Sequence, residues 1–396
     1  MRMGSTAINV PEPDQPKAIA AAICMAVIGI SFFLGMPVIV AAWSEQMGFG
    51  DQQAGWLASA DISGITVASL LISRIINTVS RQQLAVIGLL VAILANLVAI
   101  GIDTFKPLLA TRFFAGLGGG VLFSLGLAAL AATNNAGRNY ATLMFSQVSI
   151  GVVVINLYPS LADFAGMIGI YLSMCVAFVA AAFFIPWLPA FVEEPDCPAL
   201  DQSGAYPPLL PWLCLLAFFA FYLTIGSFWA YIERIGSSAG LEDSFITGAL
   251  SYTQVISLPV CVLAGWLCGR VGQLRPLIVS LAIGGSAVYL LSVAVNEFTY
   301  VAVLVIFFMV WNPIDIYQLG TLSNIDHSGR YVAMVPAFQG AANSLGPVGG
   351  AFLLEINNSF DLLLMVGSAM MFIAVAIYLY LYATLRPAST STGASF

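Results

Sequence analysis

Charge is scarce in this sequence. Only 8% of its 396 residues are Asp, Glu, Lys or Arg, while 60% are hydrophobic. A soluble globular domain carries about 25% charged residues, so a water-facing surface cannot be built from this composition. Histidine occurs once, as His327, and the six cysteines (Cys24, Cys175, Cys197, Cys214, Cys261 and Cys268) show no metal-type spacing. These cysteines read as reduced packing residues, all but Cys197 lying in or beside apolar runs. No glycine-rich phosphate loop with its lysine occurs, which argues against nucleotide-driven chemistry. A membrane enzyme or sensor would need a metal-ligand cluster or a Ser/His/Asp constellation at one membrane face, and a lone loop histidine does not supply one. No cofactor, metal or nucleic-acid partner is expected. The net charge of −7 comes mostly from loop carboxylates and implies no particular partner.

What the chain has in abundance is long apolar runs. Twelve are readable, at 18–42, 53–73, 82–102, 107–132, 140–161, 166–191, 211–233, 246–269, 276–296, 298–320, 331–355 and 361–385. Each is roughly 20 residues or more, the length an α-helix needs to cross about 30 Å of hydrocarbon. The runs are continuous rather than alternating, which excludes a β-barrel. The polar head leads into a span of full length, so no cleavable signal peptide is expected.

Of the twelve basic residues, nine fall on alternate gaps: Arg2 and Lys17, Arg74 and Arg81, Arg138, Arg270 and Arg275, Arg330, and Arg386. Positively charged loops resist translocation, so this set is expected to be cytoplasmic, with both termini inside. The intervening gaps hold Lys106 and Arg234, and Arg112 lies within a run. The break after the sixth run contains Glu193, Glu194, Asp196 and Asp201 with four prolines and no basic residue. By count it is cytoplasmic although it lacks positive charge, and its composition suits an extended linker. The expected organisation is a tail at 1–17, a six-helix bundle at 18–192, a linker at 193–210, a second bundle at 211–386 and a tail at 387–396.

An internal repeat supports that division. Ala68-Ser-Leu-Leu-Ile-Ser-Arg74, followed by Arg81, corresponds to Ala264-Gly-Trp-Leu-Cys-Gly-Arg270, followed by Arg275, about half a chain later. Phe145-Ser-Gln147 is set against Ala337-Phe-Gln339 in the same way. Duplicated halves meeting at a midplane cleft are characteristic of secondary transporters, and duplication with interrupted helices favours a carrier over a channel.

Gly265-Trp-Leu-Cys-Gly-Arg270-Val-Gly272-Gln-Leu-Arg275 resembles the loop signature of the major facilitator superfamily. The signature's acidic position is Gly269 here. In the first copy Ser69 replaces the leading glycine, Ser73 the acid, and two extra residues precede Arg81. Leu108-Leu-Ala-Thr-Arg112-Phe-Phe-Ala-Gly116-Leu-Gly118 is similar to the family's fourth-helix motif, an arginine followed by glycines four and six residues on. The resemblance covers essentially the whole chain. It implies an all-α membrane protein of twelve transmembrane helices in two pseudo-symmetric six-helix bundles, with a loop (Arg74, Arg81, Gly265, Arg270, Gly272, Arg275) that helps lock the outward-facing state. The missing acids put a charge-relay form of that lock in doubt. The type most resembled is the bacterial drug:proton antiporter. However, the antiporter Gly-Pro signature is absent from the fifth helix, and a glycine-rich version, Gly346-Pro347-Val-Gly349-Gly350, stands in the eleventh.

Charges at bilayer depth are costly and therefore mark function by default. Asp61 lies about eight residues into the second run and Arg112 about five into the fourth, which places both roughly 8–12 Å deep on the same side. They are expected to pair, either as a static salt bridge or as a carboxylate whose protonation depends on the arginine. Asp315 follows Trp311-Asn-Pro313 in the tenth run, where Pro313 frees a backbone carbonyl and kinks the helix. It is a candidate proton carrier or site for a cationic group, or else satisfies the broken backbone or Tyr317. Glu233, beside Arg234, and Glu355 lie at the rim, where snorkelling is the default; Glu233 is also a candidate gate or second proton site.

Uncharged polar residues cluster on the fifth, eighth and eleventh runs: Gln147, Asn156, Tyr252, Gln254, Gln339 and Asn343. In the resembled family the first, fourth, seventh and tenth helices line the cavity. The resemblance therefore implies a pocket wall of Phe32, Phe33, Trp229, Tyr231, Trp311 and Tyr317, although such rings also pack or face lipid. The expected function is proton-coupled alternating access for a small, partly apolar organic solute. Efflux is the leading direction and uptake of an organic anion the alternative. The expected setting is a monomer in the lipid bilayer of a bacterial inner membrane, with the solute and protons as partners.

Overall fold

A computed structural model of the chain describes residues 12–189, 207, 209–255, 257–326, 328–357 and 359–392. Most of the expected linker, Cys197 and His327 lie outside the described residues. So does the side chain of Gln254. The described chain is helical throughout. Its elements are α1 (Pro16–Gly29), α2 (Ser31–Met47), α3 (Asp51–Ile75), α4 (Arg81–Ala99), α5 (Phe105–Ala131), α6 (Ala136–Ala182), α7 (Leu209–Ser238), α8 (Asp243–Val255), α9 (Ser257–Val271), α10 (Leu274–Val293), α11 (Glu297–Ile325), α12 (Arg330–Asn357) and α13 (Asp361–Thr392).

These helices correspond to the twelve apolar runs once three local features are considered. The first run breaks at Ile30 into α1 and α2, with Pro37 inside the second piece. Fifth and sixth runs are joined in α6, where Ala165 and Gly166 leave helical geometry and Gly166 takes φ +64°. That turn reverses the chain. Tyr140 meets Ser323 at one end of the molecule, and beyond the turn Cys175 lies against Ile93 and Leu188 against Gln82, antiparallel to α4. The eighth run is covered by α8 and α9, which flank residue 256, a position outside the described residues. Among the described residues nine helices are long and apolar enough to cross a membrane, and the longest of them holds two crossings.

α1 to α6 pack on one another, with α5 at the centre against α1, α3 and α4. α7 to α13 form the second half, in which α7 packs on α12 and α13, and α10 on α11 and α13. The glycines of α5 explain its central position. A Cβ on Gly116 would lie 1.9 Å from the Asp61 carbonyl oxygen of α3, and one on Gly118 2.5 Å from Gly88 O of α4. One on Gly119 would lie 2.4 Å from Gly29 O of α1. Small residues let backbones approach where lipid offers no hydrophobic drive to association.

The two halves join at the end carrying Arg81, Arg138, Arg275 and Arg330, hereafter the basic end. There the Gln273 side chain fills the space a Cβ would take on both Gly137 and Gly320, 2.5 Å away in each case. Tyr140 and Ser323 share a 2.9 Å hydroxyl hydrogen bond across the halves. Gly265 of α9 meets Ala141 of α6, and Gly329 meets Ala128 of α5. Further along, Gly340 of α12 sits on Thr66 and Ile62 of α3. Toward the opposite end the pattern changes: α2 packs on α1, α3 and α6, and α8 on α7, α9 and α11, each within its own half. The halves are therefore closed together at the basic end and unclasped at the other.

Candidate functional site

α5 aims Arg112 into the N-terminal half. Its Nη2 donates to Asp61 Oδ2 of α3, and its Nη1 donates to Asn96 Oδ1 of α4 at 2.9 Å. The Gly116 contact sets the register: it seats α3 against α5 one turn below the arginine, which brings Asp61 over it. Asn96 is held in turn by donating to Ala92 O. The guanidinium lies 5.1 Å from the Phe32 ring centroid and 5.6 Å from that of Tyr171. Trp43 donates its indole N–H to Tyr171 Oη at 2.7 Å and stands 5.9 Å from Phe32. Arg112 and Asp61 are 1% and 2% exposed, so this pair is sealed in protein. A charge so buried needs the partner, the amide and the ring faces to offset lost hydration. Asn96, Tyr171 and Trp43 were not among the residues singled out from sequence. Asn96, polar in an apolar run, was the one with a readable signal.

The C-terminal half holds a different arrangement. Asp315 of α11, 2% exposed, accepts a hydrogen bond from Tyr222 Oη of α7 at 2.7 Å, and the Trp311 indole N–H is a second neutral donor to its carboxyl group. Its Oδ1 has no partner among the described residues, and no cation lies within salt-bridge distance. Above it stands an aromatic cluster. Trp311 lies 5.5 Å from Phe307, 6.2 Å from Phe308 in a stacked pose and 6.4 Å from Trp229. Trp229 and Trp311, read separately in the sequence, are thus one surface, extended by Phe307 and Phe308.

Other expected wall residues are placed differently from one another. Tyr231 donates to Pro347 O and packs on Gly350, between α7 and α12. Tyr317 is buried and directs its hydroxyl to Ala264 O of α9. Phe33 and Tyr252 are exposed, the latter 80%. Asn156 is exposed and returns its amide to Val152 O. Gln147 is buried with Nε2 unpartnered, and Gln339 and Asn343 are half-buried on α12. Glu233 and Arg234 are exposed at the end of α7, with Arg234 near the Tyr231 ring; Glu355 is exposed too.

The two copies of the loop signature also diverge. In the second, Gly272 takes φ +77°, Arg270 lies 3.9 Å above the Trp266 ring, and Arg275 donates to Tyr382 Oη. Both arginines are exposed. In the first, Arg74 is exposed, but Arg81 is 1% exposed, with Nε and Nη1 unpartnered beside Gly329. Ser69, in place of the leading glycine, accepts a hydrogen bond from Ser124 Oγ of α5 at 2.9 Å and donates its own to Ile65 O.

Apolar spans, an ion pair sealed in one half and an unpaired carboxylate in the other define a polytopic helical membrane transporter. A family model described as Major Facilitator Superfamily matches residues 21–324, and the chain belongs to that superfamily. No curated protein matches the sequence. The fold is similar to that of the E. coli transporter FucP in the outward conformation, at TM-score 0.74 and 14% identity over 93% of this chain and 99% of that one. It is also similar to a bacterial homologue of the iron transporter ferroportin in an outward-facing state, at TM-score 0.74 and 15% identity over 91% and 98%. A third is the human organic anion transporter MFSD10, at TM-score 0.71 and 12% identity over 93% and 100%.

Proposed function

We propose that the protein is a proton-coupled secondary transporter that moves a small, partly apolar organic solute by alternating access. The observation that carries this reading is the contrast between two buried carboxylates, one neutralised by Arg112 and one with no cation. A buried carboxylate with no cation beside it is stable only if a proton can join it, and a group that gains and loses a proton is what coupling requires. The solute class follows from the exposed Trp229 and half-buried Trp311, backed by the buried rings of Phe307 and Phe308, a wall with few hydrogen-bonding groups. Two of the structurally similar proteins, FucP and XylE, are described as proton symporters, which supports proton coupling without naming a direction.

In this reading the bundles comprise 18–192 and 211–386, joined by a cytoplasmic linker at 193–210, with both termini cytoplasmic. The protein is a monomer of a bacterial inner membrane, and the basic end is the cytoplasmic one. Efflux of the drug:proton antiport kind fits the aromatic surface. Uptake of an organic anion is the second reading, favoured by Arg112 Nε, which lacks a partner among the described residues. A thermal-shift screen of metabolites and drugs on the purified protein identifies the solute. Proteoliposomes then decide direction: accumulation driven by an acidic lumen means antiport, and by an acidic exterior means symport. Accumulation indifferent to either gradient would remove proton coupling.

A further inference from the structure

The interior of the C-terminal half contains more unmet polar atoms than its apolar composition explains. Asp315 Oδ1, both ends of the Gln318 amide, Thr321 Oγ1 and Tyr378 Oη are all buried, and none has a hydrogen-bond partner among the described residues. Gln318 and Tyr378 are 0% exposed and Thr321 1%. Buried polar groups are otherwise almost always satisfied, by protein or by ordered water. Three of these side chains lie on one stretch of α11 and the fourth, Tyr378, is within electrostatic reach of Asp315, which is not the scatter expected of isolated defects.

Their placement is ordered. Asp315, Gln318 and Thr321 follow at intervals of three along α11, where i and i+3 neighbours lie on adjoining parts of one face. Six residues of helix carry the series about 9 Å along the axis, from Asp315 toward the basic end where Ser323 and Asp326 lie. Tyr378 comes from α13, which packs on α7 and α10, and lies within electrostatic reach of Asp315 and of Cys214 on α7. The titratable groups facing the carboxylate are Tyr222 of α7, Cys261 of α9 and Tyr378 of α13; none of them is a cation. An internal water typically makes about three hydrogen bonds to such groups, and this set offers donors and acceptors in sequence.

We infer that a file of bound water runs inside the C-terminal half along α11, past Gln318 and Thr321, and links Asp315 to the basic end. It gives the carboxylate proton exchange with that end while the space between the halves opens to the other. Its use in coupling rests on the proton-coupled reading above; the presence of water does not. The path lies within one half and supplies one of the two proton accesses that coupling requires; the other is through the space between the halves.

Radiolytic hydroxyl footprinting of the purified full-length protein, with water itself as the probe, tests this. Tyr378 should be oxidised at a rate near that of the exposed Tyr289. Tyr300 should stay inert, being equally buried but bonded to Ile232 O. Thr321→Val and Gln318→Leu should each lower Tyr378 labelling several-fold while Tyr300 remains protected, which certifies the fold. Tyr378 as inert as Tyr300, or labelling unchanged in both variants, overturns the water file. Labelling abolished by sodium chloride but not by choline chloride also overturns it, in favour of a metal cation. Infrared hydrogen–deuterium exchange at the Asp315 carboxyl, assigned with Asp315→Asn, should slow several-fold in the same variants, and unchanged exchange overturns the path. Transport indifferent to protons with Tyr378 labelling intact would instead overturn the coupling reading alone.

Discussion

The two halves of this transporter bury one carboxylate each within their spans, and the surroundings differ by one arginine. In the N-terminal half Asp61 is met by Arg112, Asn96 braces the guanidinium, and two aromatic rings cover it. In the C-terminal half Asp315 has a tyrosine hydroxyl and a row of unmet polar atoms. The first arrangement holds charge in a fixed place, because breaking it leaves an ion in a medium that cannot solvate it. The second gives the carboxyl group two neutral hydrogen-bond donors, Tyr222 and Trp311, and no cation among the described residues. Related bundles thus perform unlike electrostatic tasks, and removal of a partner should affect them very differently.

Arg112→Ala should have the largest effect. It strands Asp61, and breaking a buried pair from one side costs about 3–5 kcal/mol, seen as a lowered unfolding temperature together with lost transport. Removing both charges, as Asp61→Leu with Arg112→Met, should restore most of the stability and none of the transport. Transport by that double variant would reduce the pair to a structural element. Asp61→Asn strands Arg112 from the other side and should lower the unfolding temperature by a comparable amount; a pH dependence of transport unaltered in that variant would exclude Asp61 from coupling.

Next in size is Gly116→Ala. Its new Cβ would stand 1.9 Å from the Asp61 carbonyl oxygen, so α3 and α5 must part, at a cost of at least about 1–3 kcal/mol. Gly349→Ala is the control, since nothing lies within 4 Å of its Cβ position, and its unfolding temperature should not fall. Equal losses at both sites would remove the close approach as the cause at Gly116, since helix propensity alone favours Ala over Gly.

Asp315→Asn should cost about 1 kcal/mol, because no ion pair is broken and only hydrogen bonds from the neutral donors Tyr222 and Trp311 are at stake. Its mark should be a flattened pH–rate profile, and a profile identical to the parent's would remove Asp315 from the mechanism. Glu233→Gln should be the smallest of the series. An exposed carboxylate at a helix end is solvated in either form, so unfolding temperature and transport should both stay unchanged; a loss of coupling there would move the proton site to the rim.

Much of the first site was legible in the sequence. Asp61 and Arg112 are charged residues in apolar runs at matching depth, and depth follows from counting residues along a helix of known rise. Asn96 belonged to the same logic, being polar in a run with no other use for it. Tyr171 and Trp43 gave no such signal, because in a chain so rich in aromatic residues a ring on an apolar helix is the common case. The aromatic residues read as one wall proved to have several fates: Trp229 meets Trp311 edge-on, Tyr231 braces α12, and Tyr317 points to α9. Helix periodicity tells which residues share a face, not which neighbouring helix that face meets.

The loop signature shows the same limit. Its two copies look alike along the chain, yet Arg270 and Arg275 reach solvent while Arg81 is driven inward against Gly329 of the other half. By itself the sequence determined that the chain is helical, how many runs cross the membrane, and which charges lie within them. Those properties depend on local hydrophobicity and length, which each segment carries alone. Only the tertiary structure decided that Asn96, Tyr171 and Trp43 complete the Arg112 site, that Asp315 has no cation among the described residues, and that the halves clasp at the basic end. Pairing depends on how closely two helices approach, and here that distance is set by single glycines such as Gly116, Gly137 and Gly320 meeting atoms far away in the chain.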